Sequence, residues 1–110
     1  MKDIRFFLTH ILECIGKIEA YTRSGQGTFM GSAEKQDAVI RNFEIIGEAA
    51  KQVPDSIRKS FPTIPWQQIA GFRDVLIHHY WGVDANEVWN IIQRDLPKIK
   101  PQIEEVLQTL

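Results

Sequence analysis

The sequence predicts an all-α protein, an antiparallel four-helix bundle with one short connector helix, and three observations carry that prediction. Apolar residues recur at spacings of three and four along four long stretches. Pro54, Pro62 and Pro65 cluster between the second and third stretches, where a helix interior would reject them. No segment alternates apolar and polar residues with the period of two that a half-buried strand requires. Four amphipathic stripes on short connections bury one another most simply as an antiparallel bundle. With 110 residues, the chain has the size of one domain, able to bury roughly 65% of its unfolded surface, and 1–110 reads as a single helical domain.

The first helix is expected over residues 3–23, where Ile4, Leu8, Ile11, Ile15 and Ile18 form a row and Phe7, Cys14 and Tyr21 line the next one. SGQGTFMGS then gathers three glycines and three hydroxyl residues, a composition that predicts a mobile loop. Ser32 is a suitable N-cap for a second helix, with Glu34 in its first turn. That helix, Ala33 to Gln52, has the apolar row Ile40, Phe43, Gly47 and Ala50 flanked by Val39 and Ile46, while Arg41, Glu44, Glu48 and Lys51 share another face. Its small residues Gly47, Ala49 and Ala50 predict a tight crossing with a neighbouring helix.

VPDSIRKSFPTIP leaves room for at most one short helix between its first two prolines. Pro65 can open a third long helix running to about Trp81, with Gly82 placed to end it. Asp84 and Glu87 have the offset of a capping box, and Val88, Ile91, Ile92 and Leu96 continue as a fourth stripe. Pro97 and Pro101 are expected to kink or restart this helix before Ile103, Val106, Leu107 and Leu110 finish it. Two apolar rows on the first helix and polar groups on several sides of the third predict burial against a second copy, so the bundle is expected to be a homodimer.

Composition bounds the function. The net charge of −1 offers no global attraction for nucleic acid, so any RNA contact must be local. One cysteine, Cys14, excludes an intrachain disulfide and a thiolate cluster, in keeping with a reducing, cytoplasmic compartment. No apolar run approaches the ~20 residues that cross a bilayer, and MKDIRFFLTHILEC carries charges where a signal peptide would not. No membrane association is expected.

The stretch with chemical content is RDVLIHHY, residues 73–80. At about 100° per helical residue, Ile69, Arg73, Leu76 and Tyr80 fall nearly on one line, so Arg73 interrupts an apolar seam. A guanidinium there needs a carboxylate, a phosphate or access to water. A structural reading makes it the ion-pair partner of Glu44 or Glu48, with the histidines satisfied at a surface or interface. On the same ideal helix His78 lies about 140° from Arg73. If the two act together, either the helix is distorted or two subunits share the site.

The residues around this stretch resemble a known family, the HEPN superfamily, and within it the HepT-like (DUF86) group. Its signature is arginine, four residues, histidine, any residue, tyrosine, and it reads here as Arg73, His78 and Tyr80. The resemblance extends over DIRFFLTHILECIGKIEAY, AVIRNFEIIGEAAKQVP, IPWQQIAGFRDVLIHHYWGVD and VWNIIQRDLPKIKPQIEEVL. It implies a dimeric HEPN-like bundle that cuts RNA without a metal, as the toxin of a toxin–antitoxin pair. Catalysis would rest on Arg73 and His78. The antitoxin would be a minimal nucleotidyltransferase that silences the toxin by AMPylation of Tyr80. The RNA would be transfer or messenger RNA.

Those residue types suit the chemistry. RNA carries its own nucleophile, and His78 titrates near neutral pH and can move its proton. Arg73 can grip a phosphate bidentately, and Asp74 can support it by orienting a guanidinium or imidazole. The alternative is a non-catalytic HEPN subunit that binds nucleotide or substrate for a partner nucleotidyltransferase; a purely structural helical partner is a third reading. No cofactor is expected. His10, His78 and His79 have no metal-ligand spacing, GQGTFMGS lacks the lysine of a phosphate-binding loop, and Trp66, Trp81 and Trp89 read as packing anchors.

Overall fold

A computed structural model describes residues 3–78 and 82–110, with Ile77 and His78 described as helix backbone only. All regular structure among the described residues is helical. The order is α1 (Ile4–Tyr21), α2 (Gln26–Met30), α3 (Ala33–Lys51), α4 (Asp55–Ser60), α5 (Trp66–His78), α6 (Ala85–Arg94) and α7 (Leu96–Thr109). The predicted bundle is present: α3 packs against both α1 and α5, while α7 packs on α1 and against α6. No helix among the described residues is long and apolar enough to cross a membrane.

Helix α1 begins at Asp3, whose side chain accepts from the Arg5 N–H at 2.9 Å. It buries Leu8, Ile11, Cys14, Ile15 and Ile18, the stripe its spacing predicts. Helix α3 begins as predicted at Ser32, whose hydroxyl accepts from the Lys35 N–H at 3.1 Å. It buries Val39, Phe43, Ile46 and Ala50. Asn42 is also buried, and its amide donates to the Ala38 carbonyl at 2.8 Å, which satisfies one of its polar hydrogens inside the helix.

The glycine-rich segment departs from its expected looseness. Gly25, at φ +96°, takes a backbone conformation open mainly to glycine and leads into the one-turn helix α2. Phe29 of that turn is 1% exposed and meets the Trp89 ring at 5.5 Å between centroids. The Gln36 amide donates to the Phe29 and Met30 carbonyls at 3.0 Å each, satisfying the end of the turn. A single buried aromatic residue and one amide thus convert the predicted loop into packed structure.

The connector helix α4 lies between Pro54 and Pro62 as predicted, and it fastens the end of α3. Arg58 donates from Nη2 to the Ala50 carbonyl at 2.8 Å and from Nε to the Val53 carbonyl at 2.9 Å. The third long helix starts beside Pro65, whose carbonyl accepts its first bond, from the Ile69 N–H at 3.0 Å. Its predicted end near Trp81 falls on residues 79–81, outside the described residues.

The fourth stripe is broken at Asp95, two residues ahead of the first proline. Asp95 donates to Ile91 to close α6 and accepts from Lys98 and Ile99 to open α7. Pro97 then occupies the first turn of α7, where no N–H is required. Pro101 neither ends nor restarts the helix but lies inside α7, at the loss of one backbone hydrogen bond. At the start of α6, Asp84 accepts from the Asn86 N–H at 2.9 Å rather than closing a reciprocal box with Glu87.

Candidate functional site

Arg73 lies on the second half of α5, where α5 crosses α3. A Cβ placed on Gly47 would overlap the Cβ of Arg73 and come within 3.2 Å of the Ile69 carbonyl oxygen. The crossing therefore depends on hydrogen at position 47, and it brings the stem of Arg73 directly onto the backbone of α3. Phe43 of α3 and Phe72 of α5 meet edge to face at 5.3 Å beside it. Leu76, one turn on, is buried.

Beyond its stem the guanidinium is held by two carboxylates. Its Nε donates to Oε2 of Glu48 at 3.0 Å, and its Nη1 donates to Oδ1 of Asp74 at 3.0 Å. The same Asp74 oxygen accepts from Nζ of Lys51 at 2.9 Å. Lys51, Asp74, Arg73 and Glu48 thus form a ladder of alternating charge across the crossing, with no net charge of its own. Hydrogen bonds from Lys51 and then Arg73 hold the Asp74 carboxyl below the ordinary carboxylate range, so it remains ionised at neutral pH.

The ladder borders a groove of about 820 Å³. Arg73, Glu48, Glu44 and Arg41 supply its charges, while Ile4, Phe6, Phe7 and His10 of α1 supply the opposite wall. Arg41 and Glu44 pair at 3.6 Å, with the arginine largely in water. Phe6 is 44% exposed, its ring edge to face with Phe7 and His10. A partly exposed guanidinium beside an accessible aromatic ring provides contacts for a flexible anionic chain that also carries planar groups.

Of the sequence-predicted site residues, the structure brings Arg73 and Asp74 together and adds Glu48, one of the two acids named as possible partners. His78 is the last residue of α5, but its side chain lies outside the described residues, as do His79 and the predicted acceptor Tyr80. Lys51 has no counterpart in the sequence reading of the site. Its signal was the segment GEAAK, in which Glu48 and Lys51, three residues apart on one face, follow the glycine of the crossing. Of the packing anchors, Trp66 is buried and donates to the Phe61 carbonyl at 3.1 Å. Trp81 lies outside the described residues.

Comparison with known proteins is consistent across the chain. The profile of the ribonuclease HepT-like family matches residues 11–106. A Methanocaldococcus jannaschii protein, whose name joins a gamma-glutamylcyclotransferase with a candidate RNase, is 44% identical over 99% of this chain, which spans 50% of that relative's length. A candidate RNase of the same organism is 38% identical, over 96% of this chain and 97% of its own. The "Probable ribonuclease HepT" of Thermococcus cleftensis is 41% identical, over 91% of this chain and 92% of its own. No solved structure matches.

Proposed function

The chain belongs to the ribonuclease HepT-like family, and on that premise we propose that it is a metal-independent endoribonuclease toxin acting on cellular transfer or messenger RNA. The observation that supports this most directly is the setting of Arg73. It opens on a groove, its Nη2 has no partner among the described residues, and it is anchored rather than loose. Such a guanidinium suits the recognition of a phosphodiester.

In this reading His78 takes the proton of a ribose 2'-hydroxyl, whose oxygen attacks the adjacent phosphorus. The bond to the 5'-oxygen breaks, that oxygen gains a proton, and the products are a cyclic phosphate and a 5'-hydroxyl end. Arg73 stabilises the charge that grows on the non-bridging oxygens. Because positions 73 and 78 are about 140° apart on an ideal helix, the pair is completed by a second copy, making the working unit a homodimer of one-domain chains.

Regulation in this proposal falls to a minimal nucleotidyltransferase antitoxin. The Tyr80 hydroxyl attacks the α-phosphorus of ATP and pyrophosphate leaves, so AMP remains as a phosphodiester on the tyrosine. A bulky anion then occupies the place of the RNA phosphate and repels it.

Purified protein incubated with total RNA in EDTA tests the reading. Wild type is expected to cut, Arg73→Ala and His78→Ala to lose cutting, and AMP on Tyr80 to suppress it. Sedimentation checks the dimer. Persistence of full cleavage in both variants would sink the catalytic assignment. Absence of cleavage by the unmodified wild type, with a nucleotidyltransferase still bound, would favour the non-catalytic subunit that presents nucleotide or substrate to its partner.

A further inference from the structure

We propose that Glu48 is a positioning residue for RNA cleavage: across the Gly47 crossing, its carboxylate fixes the plane of the Arg73 guanidinium and selects the edge that meets the phosphate. This rests on the reading of Arg73 as the phosphate-binding group.

The stem of Arg73 cannot shift, because its Cβ fills the space left by Gly47. The bonds beyond Cβ still rotate, and an arginine free to rotate loses orientation that catalysis requires. Two contacts at different nitrogens remove that freedom, Glu48 at Nε and Asp74 at Nη1, both at 3.0 Å. Lys51 restrains Asp74 in turn.

A guanidinium can meet an oxyanion pairwise through Nε with Nη2 or through Nη1 with Nη2. Glu48 occupies Nε, so the first edge is taken. What remains uncommitted is Nη2, and the phosphate must meet the group there.

Glu48 thereby has two opposed effects. Its negative charge, hydrogen-bonded to the same guanidinium, repels an incoming phosphate and weakens binding. Its hold on Nε aligns the group for the reaction. Exchange for alanine should remove both, leaving binding unchanged or tighter while turnover falls, whereas glutamine, whose amide oxygen still accepts from Nε, should remove the repulsion and keep most of the hold. A merely structural surface ion pair would move neither.

The test compares steady-state cleavage of one RNA oligonucleotide by the full-length wild type, Glu48→Ala, Glu48→Gln and Arg73→Ala. For Glu48→Ala the expected result is kcat lower by about tenfold or more, with KM unchanged or reduced and helical content and melting temperature as in wild type. Glu48→Gln, which keeps an acceptor for Nε at the same reach, should recover part of kcat. Wild-type kcat in Glu48→Ala, or a loss confined to a raised KM, overturns the proposal. So does a kcat loss that merely tracks loss of helical content. If wild type cuts nothing, or Arg73→Ala cuts equally well, the assignment of Arg73 fails and this proposal fails with it. An inactive Arg73→Ala beside an unaffected Glu48→Ala fails the positioning role alone.

Discussion

Gly47 and Arg73 approach so closely that neither position can be described without the other. Gly47→Ala would drive a methyl group into the Cβ of Arg73 and towards the Ile69 carbonyl, and neither can swing aside. The expected cost is about 1–3 kcal/mol, typical of overpacking, read as a lower midpoint in thermal circular dichroism. On the proposed reading, RNA cutting should fall with it, since α5 must shift to make room. An unchanged midpoint would mean that the helices do not cross here. Asp74 gives a second expectation. Its folded pKa is depressed, so its contribution to stability is present above the ordinary carboxylate range and is lost as pH falls from that range through the folded value. Asp74→Asn should flatten the acid side of the stability curve, measured as the denaturant midpoint against pH. At this scale the sequence showed that Arg73 needed an acceptor and offered Glu44 or Glu48. Choosing Glu48, and finding Lys51 at all, required the crossing point of two helices, which periodicity along either one does not contain.

The elements themselves were far more legible. Stripes spaced by three and four residues located α1, α3, α5 and the α6–α7 pair, because each long helix must bury one face and its sequence carries that period. Helix α2 was hidden for the converse reason: five residues with a glycine among them are too few to show a period, and Phe29 is held by a distant Trp89. The break at Asp95 was displaced from the expected prolines because a proline is accommodated in the first turn of a helix, so the interruption falls before it. Helix α4 has a function that its sequence did not announce, since Arg58 donates to the Ala50 carbonyl in the last turn of α3 and to the Val53 carbonyl just past its end. Arg58→Ala should cost about 1–3 kcal/mol through those unpaired acceptors, measured as a lower denaturant midpoint with an unchanged slope. A wild-type midpoint would indicate that water replaces the guanidinium at no cost.

Across the whole molecule, the near-neutral charge seen in the composition is repeated locally, where two cations and two anions meet at one crossing. On the proposed reading, attraction for RNA is confined to whichever donors the ladder leaves uncommitted. Cys14 offers a probe of global integrity. It is 1% exposed in the core, and burial raises its pKa, so the thiol is both covered and neutral. Labelling by a disulfide reagent is expected to be slow in the native protein and to accelerate only through the unfolding transition. Fast labelling without denaturant would show that α1 detaches on its own. The contact between Gly47 and Arg73 also makes fold and chemistry separable in one direction. Alanine at 73 keeps the Cβ that fills the joint and discards only the guanidinium, so under the proposed reading one truncation yields an inert decoy, a chain with native contours that competes for every partner of the active form.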